Sequence, residues 1–142
     1  MCKTIEEIER FQRDRELDKQ SYNDTNELTN IFEELGEILG YPNIDREYLM
    51  DLVHRFERDI EGTKYKEPTN EDKVDGYADI IVFCIGAMMK LGYDPKVVLE
   101  EVGKEINSRA GQMLNGKFTK YKSPEAVAKW YKADFTKAKL RD

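Results

Sequence analysis

The side chains best suited to chemistry in this sequence are carboxylates that recur at helical spacing. Glu34 and Glu37 are three residues apart, and Glu33 and Glu37 are four apart, so one helix would carry all three on one face. Like charges on one helix face repel each other unless water or a cation lies between them. We therefore weigh two interpretations, a solvated acidic surface and a site for a hard divalent cation such as Mg²⁺ or Mn²⁺.

A second acidic group precedes the most apolar segment of the chain. Asp72, Asp75 and Asp79 fall on one stripe of a predicted helix. A carboxylate at the edge of a core is costly unless it is paired or bound to a metal. Gly76, in mid-helix, costs about 1 kcal/mol relative to Ala and would leave room for a ligand or a close helix. Two antiparallel helices with these groups face to face would form an all-oxygen Mg²⁺ site, where metal-bound water is a natural nucleophile.

Other kinds of catalytic or binding site have little support in the sequence. The only histidine, His54, is isolated on a charged helix, and the two cysteines form no pair for a soft metal. Cys84 lies in an apolar run and is predicted to be a buried free thiol, while Cys2 lies at a frayed terminus. The N-terminus has no apolar signal core, and the longest apolar stretch is too short to span a membrane. We therefore expect a cytoplasmic protein.

The net charge of −6 is unevenly distributed along the 142 residues. Residues 1–103 carry a net charge of −12, and residues 104–142 carry a net charge of +6. An acidic body with a basic C-terminal part could bind a metal and a phosphate in one site, but it could also be a solvated surface beside a basic last helix.

Apolar periodicity and capping signals predict one all-α domain over residues 1–142. A helical bundle, in one chain or completed by a partner chain, fits the apolar stripes. The fourth predicted helix is apolar all round in its second half, which is typical of a core or a subunit interface, although residues 80–85 alone could also form a buried strand. Asn115-Gly116 is predicted to be a turn. The predicted helices are 4–18, 24–39, about 45–61, 70–91, 95–114 and a short last helix from Pro124 that includes Trp130 and Tyr131.

The first acidic group carries a resemblance to a known superfamily. The sequence resembles the MazG-type all-α nucleoside triphosphate pyrophosphohydrolases, which include dimeric dUTPases and phosphoribosyl-ATP pyrophosphohydrolase. The pattern Glu34-x-x-Glu37 matches the Glu-x-x-Glu motif of that superfamily, and Glu33 is a frequent extra acid there.

The second acidic group departs from the superfamily pattern of Glu-x-x-Asp. Here Asp75-Gly76-x-x-Asp79 resembles a phage and bacterial branch, in which an acidic residue also stands at the position of Asp72. Which of the three aspartates contacts metal is therefore left open. The gap from Glu37 to Asp72 is longer than is usual in the superfamily.

The resemblance continues to about residue 122 and implies a fold and an activity. The implied fold is a four-helix-bundle core, about residues 23–115, with additional N- and C-terminal helices, in a homodimer or a dimer of dimers. The implied reaction is Mg²⁺-dependent hydrolysis of a nucleoside triphosphate to the monophosphate and pyrophosphate, with Mn²⁺ as a possible substitute. The base and the sugar are left open.

The resemblance also implies roles for individual residues. Those expected to hold metal are Glu34, Glu37, Asp75 and Asp79. Those expected to act in catalysis are Glu34 with Glu33 or Asp72, the last two as an outer acid or as the base that orients water. Those expected to face the nucleotide are Asn107, Arg109, Lys117 and Lys120; each lysine could equally be a solvated surface residue.

Two other classes of function stay open at this stage. A non-catalytic interaction protein could use the basic C-terminal part on nucleic acid, since Tyr121, Trp130 and Tyr131 lie among lysines, but no recognised DNA-binding motif supports it. A degenerate relative of the enzymes could bind nucleotides as a sensor.

Overall fold

The structure, a computed structural model, describes residues 3–114 and 117–140, with the backbone alone for Lys3 and Thr4. The predicted turn at Asn115-Gly116 and the predicted frayed terminus at Cys2 lie outside the described residues. No helix in the described part of the chain has the length and apolarity needed to cross a membrane.

The described chain is largely α-helical, as the periodicity predicts, with one small sheet. The strands β1, Gly111–Leu114, and β2, Lys117–Lys120, pair with each other. The helices are α1, Lys3–Asp14; α2, Asp24–Ile38; α3, Arg46–Ile60; α4, Asn70–Lys90; α5, Pro95–Asn107; and α6, Pro124–Ala128. Short 3₁₀ turns occupy Leu17–Lys19, Glu61–Thr63 and Phe135–Ala138.

Helix starts follow the capping residues that the sequence provides. The Asn23 side chain accepts a hydrogen bond from the backbone N–H of Asn26 at 3.0 Å at the start of α2. Thr69 and Asp72 form a reciprocal capping box at the start of α4. Gly40 has a φ of 96° just after α2, the left-handed conformation that glycine adopts without strain.

The first helix is shorter than the predicted range of residues 4–18. In the structure α1 stops at Asp14, and Glu16 has a φ of 53°. A residue in this left-handed conformation cannot continue a right-handed helix, so residues 17–19 form a separate 3₁₀ turn.

The predicted fifth helix, residues 95–114, is wrong beyond Asn107. The chain leaves α5 there and enters β1. The Arg15 guanidinium donates hydrogen bonds to the carbonyls of Asn107 and Arg109, at 3.2 and 2.6 Å, so these groups have partners outside the helix. A Cβ on Gly111 would collide with the Thr119 carbonyl, so the close pairing of the strands requires glycine.

The last helix is shorter than predicted. Ser123 caps α6, and Pro124 is its first residue, as the cap-then-proline pattern indicates. Trp130 and Tyr131 lie beyond the end of α6, so their inclusion in that helix was wrong. Instead the Tyr131 backbone N–H donates to the Ser108 hydroxyl at 2.7 Å, which ties this segment to the end of α5.

Helix α4 has no buried residue, although its second half is apolar all round. Phe83 is 78% exposed, and Ile81 and Val82 are exposed as well. Cys84 on the same helix is exposed, so its prediction as a buried thiol was wrong. The β-branched run at residues 80–85 is helical, as predicted, and not a strand.

The chain forms two compact units that interleave in sequence. Unit 2 comprises residues 20–67 and 113–117, and unit 1 comprises residues 1–19, 68–112 and 118–142. In unit 2, α2 packs against α3, with Leu49 and Val53 buried. An Arg46 guanidinium N–H also donates to the Asn30 side chain at 2.9 Å, which links the two helices.

In unit 1, α1 packs closely against α5. A Cβ on Gly103 would lie 2.8 Å from the Cβ of Glu7, so glycine permits the approach of the helices. Phe11 meets Phe118 edge to face at 5.5 Å, and the Arg15 guanidinium lies 4.4 Å from the centre of the Phe11 ring. This packing fixes the base of the β1–β2 hairpin.

Candidate metal centre

The acidic cluster, which we define as Glu33, Glu34 and Glu37, lies on α2 within unit 2. The side chains of Glu34 and Glu37 are close enough for Glu37 to act on the pKa of Glu34, as their three-residue spacing on one helix allows. Lys117, at the start of β2, forms an ion pair with Glu33 inside the same unit. The structure therefore unites three predicted acidic residues with one predicted phosphate-binding lysine.

Partial burial and the neighbouring carboxylates both act on the charge of Glu34, and burial has the larger effect. Partial burial of the carboxyl group raises the pKa of Glu34 above its ordinary value of 4.5. The hydrogen bond to Glu37 and the charges of Glu37 and Glu33 raise that pKa further, while the Lys117 charge opposes them. The negative charges that act on Glu34 thus outweigh the positive charge of Lys117.

The carboxylates of the acidic cluster offer oxygen donors, the type of ligand that a hard divalent cation prefers. Carboxylates that are close enough to share a proton can share a metal ion in its place, and Mg²⁺ is commonly bound by one or two carboxylates together with waters and substrate phosphates. Across the residues that the structure describes, no group of three or more His, Cys, Asp or Glu side chains is arranged to hold a metal. The cluster therefore offers a partial coordination sphere with two close carboxylates.

The predicted aspartates lie on α4, which belongs to unit 1. Asp75 and Asp79 are exposed, and a Cβ on Gly76 would meet nothing within 4 Å. The Asp72 carboxylate accepts a hydrogen bond from the Thr69 backbone N–H at 2.8 Å, so it takes part in helix capping. The open space at Gly76 agrees with room for a ligand or for a second helix.

Asn107 takes part in the packing of α5 against α1. Its side-chain amide donates to the backbone carbonyls of Glu7 and Gly103, both at 2.8 Å, and so connects α5 to α1. Asn107 also lines a groove of about 460 Å³ together with Arg10 and Arg15. Arg10 is ion-paired with Glu7, and Arg15 is bonded to carbonyls, so both cations of this groove have protein partners.

Arg109 and Lys120 meet at the indole of Trp130. The Arg109 guanidinium lies 5.1 Å from the ring centre and the Lys120 ammonium lies 5.6 Å from it. Arg109 is also ion-paired with Glu105. The indole that could have served as a stacking platform for nucleic acid already contacts two cations, which counts against that use.

Sequence reasoning missed Glu101, the most buried carboxylate among the described residues. Glu101 on α5 is 2% exposed and accepts hydrogen bonds from the Tyr131 hydroxyl at 2.5 Å and from the Asp134 backbone N–H at 2.9 Å. The Tyr131 hydrogen bond is the main cause that lowers the pKa of Glu101 to about 2. The sequence around Glu101 does not predict this, because two of its donors, Tyr131 and Asp134, lie about thirty residues later.

Comparisons with known proteins found no relative from which a function could be inferred. No protein-family model matches the chain, and no curated protein or solved structure matches it.

Proposed function

We propose that the protein is a Mg²⁺-dependent nucleoside triphosphate pyrophosphohydrolase that converts a (deoxy)nucleoside triphosphate and water to the monophosphate and pyrophosphate. The observation that carries the proposal is the acidic cluster, which places Glu33, Glu34 and Glu37 on one helix beside Lys117, and in which burial and the neighbouring carboxylates raise the pKa of Glu34. Two neighbouring carboxylates favour the binding of a cation. The reaction that we propose follows from the resemblance of Glu34-x-x-Glu37 to the superfamily motif.

In this proposal Glu34 and Glu37 hold the metal, and Asp75 and Asp79 contribute further carboxylates. When bound, the metal neutralises charge on the triphosphate and acidifies a water ligand. Glu33 or Asp72 orients the attacking water and accepts its proton. Water adds to phosphorus as the anhydride bond between the α- and β-phosphates breaks, and pyrophosphate leaves. Positioning and charge neutralisation account for most of the rate in such reactions.

The cations near the hairpin are proposed to contact phosphates. Lys117 already lies at the acidic cluster, within reach of a phosphate that would join the metal there. Arg109 and Lys120 are placed together at Trp130, and Asn107 lies on the groove at the end of α5. We retain all four as substrate-binding residues.

We also propose that a second copy of the chain covers α4 and completes a four-helix core. A helix that exposes Ile81, Val82 and Phe83 to water is typical of an interaction surface. A homodimer or a dimer of dimers would bury this face. Sedimentation equilibrium of the wild-type protein should give at least twice the chain mass of 16.6 kDa, and Phe83→Asp should shift it toward that mass. A strictly monomeric wild-type protein would contradict this part of the proposal.

We place the protein in the cytoplasm, where the exposed free thiol of Cys84 stays reduced.

The first experiment is a substrate panel. Canonical and modified nucleoside triphosphates are incubated with the full chain, with and without Mg²⁺ or Mn²⁺, and pyrophosphate and monophosphate are quantified. We expect metal-dependent release of both products in equal amounts. Folded, metal-loaded protein that releases neither product would favour a binding protein instead.

Matched variants assign the reaction to the carboxylates. Glu37→Gln and Asp79→Asn should each lower kcat/KM by at least about 100-fold while the far-UV circular dichroism is retained. Glu57→Gln, an exposed change on α3, is the control and should keep wild-type activity. An active Asp79→Asn variant would refute the role of α4 in the site.

A further inference from the structure

A lysine from a distant part of the chain occupies one side of the acidic cluster. Lys117 and Glu33 are 84 residues apart in sequence, yet their side chains form an ion pair within unit 2. The Lys117 side chain is 34% exposed and the Glu33 side chain 24%. The pair is therefore partly shielded from water, which makes its charge interaction stronger than that of a fully exposed pair.

The charge of Lys117 acts on more of the cluster than Glu33. It also opposes the effect of the neighbouring carboxylates on Glu34. Lys117 thus partly compensates the negative charge of the cluster, which is the task that a divalent cation would perform. Because both are cations, a metal ion bound at Glu34 and Glu37 would repel the ammonium of Lys117, whose charge already acts on Glu34.

We propose that Lys117 is a tethered competitor of the metal ion, paired with Glu33 in the metal-free protein and released from the carboxylates when the metal binds. The ammonium that has left Glu33 then contacts a substrate phosphate, so one side chain serves the site in two successive states. This inference rests on the proposed function, since it requires that the acidic cluster binds a divalent cation.

The test measures Mn²⁺ binding to the full chain without nucleotide, from the electron paramagnetic resonance signal of free Mn²⁺. Lys117→Met removes the competing charge, and we expect it to bind Mn²⁺ about threefold to tenfold more tightly than the wild type. Lys117→Arg keeps the charge and should stay close to the wild type. Lys132→Met, at an exposed position, changes the net charge equally and should also leave the affinity unchanged.

The outcomes separate the inference from the proposed function. If the wild type binds Mn²⁺ and Lys117→Met binds it equally well or more weakly, the competitor role is refuted and the metal site stands. If no variant binds Mn²⁺, the metal site and the competitor role are both refuted.

A second measurement uses only the wild-type protein and does not depend on the folding of a variant. Lysines are acylated with a limiting amount of an amine-reactive ester, with and without Mn²⁺, and the extent at each lysine is read by mass spectrometry. Mn²⁺ should raise the acylation of Lys117 at least about twofold, because the ion pair with Glu33 is lost, and should leave that of Lys132 unchanged. Unchanged or lower acylation of Lys117 would overturn the inference.

Discussion

Two glutamates on different helices show opposite environments for a carboxylate. Glu101 on α5 is almost fully buried, but hydroxyl, backbone and ammonium donors surround it, and its pKa falls to about 2. The Glu34 residue on α2 is more exposed as a whole, but partial burial of its carboxyl group and, after that, the neighbouring carboxylates Glu37 and Glu33 raise its pKa. The burial of the residue alone therefore does not determine in which direction the pKa of its carboxylate shifts.

The difference lies in how many donors each carboxylate already has. Tyr131, Asp134 and Lys104 leave Glu101 with its charge compensated by the protein, so it acts as an anchor for the C-terminal segment. Glu34 shares its hydrogen bond with another acid, and its charge is not compensated to the same degree. A carboxylate of the second kind is the type of group that the proposed metal site requires.

The largest effect that tests this comparison is expected for Glu101→Gln. Glutamine keeps the size of the side chain but replaces a charged acceptor with a neutral group, and it places N–H groups opposite the donors of Tyr131 and Asp134. We expect the melting temperature at pH 7 to fall by roughly 5–10 °C, as measured by circular dichroism. Glu100→Gln on the same helix is the control. An unchanged melting temperature for Glu101→Gln would show that the donors do not stabilise the fold.

Acid should remove the same contribution in the wild type. Because the pKa of folded Glu101 is about 2 and its ordinary value is 4.5, the ionised group stabilises the folded state above pH 4.5, and this stabilisation is lost as the pH falls toward 2. The unfolding free energies of the wild type and of Glu101→Gln, measured in urea, should therefore approach each other as the pH falls from 5 to about 3. A difference in unfolding free energy that stays constant over this range would contradict the assignment.

The smallest effect, with the opposite sign, is expected for Glu34→Gln. Removal of one charge relieves repulsion in the acidic cluster, so the metal-free variant should melt about 1–3 °C above the wild type at pH 7. Added Mn²⁺ should stabilise the wild type but not this variant. A lower melting temperature for metal-free Glu34→Gln would place Glu34 in the same structural category as Glu101.

Local signals in the sequence were sufficient for most helix starts and for the acidic cluster. Asn23, Thr69 and Ser123 cap helices because their side chains bond to backbone groups only a few residues away. The cluster could likewise be predicted, since spacings of three and four residues on one helix determine a shared face. Interactions of this kind depend on nearby sequence alone.

The features that we could not predict from the sequence depend on contacts between residues that are far apart in the chain. The end of α5 is fixed partly by Arg15, more than ninety residues earlier, and by the need for glycine at Gly111. The ion pair of Lys117 with Glu33 also joins residues from distant segments. The exposure of Cys84 could not be predicted either, because an apolar helix looks the same in sequence whether its own chain or another covers it.

The interleaving of the two units has a consequence during synthesis on the ribosome. Helices α2 and α3 are adjacent in sequence and can pair as soon as residue 67 has emerged. Helix α1 must wait for its partner α5, since Arg15 and Ile106 are 91 residues apart. At typical elongation speeds this delay is about 5 to 20 seconds. For that time the nascent chain carries α1 as an amphipathic helix without its partner α5, open to a chaperone that binds apolar helical segments.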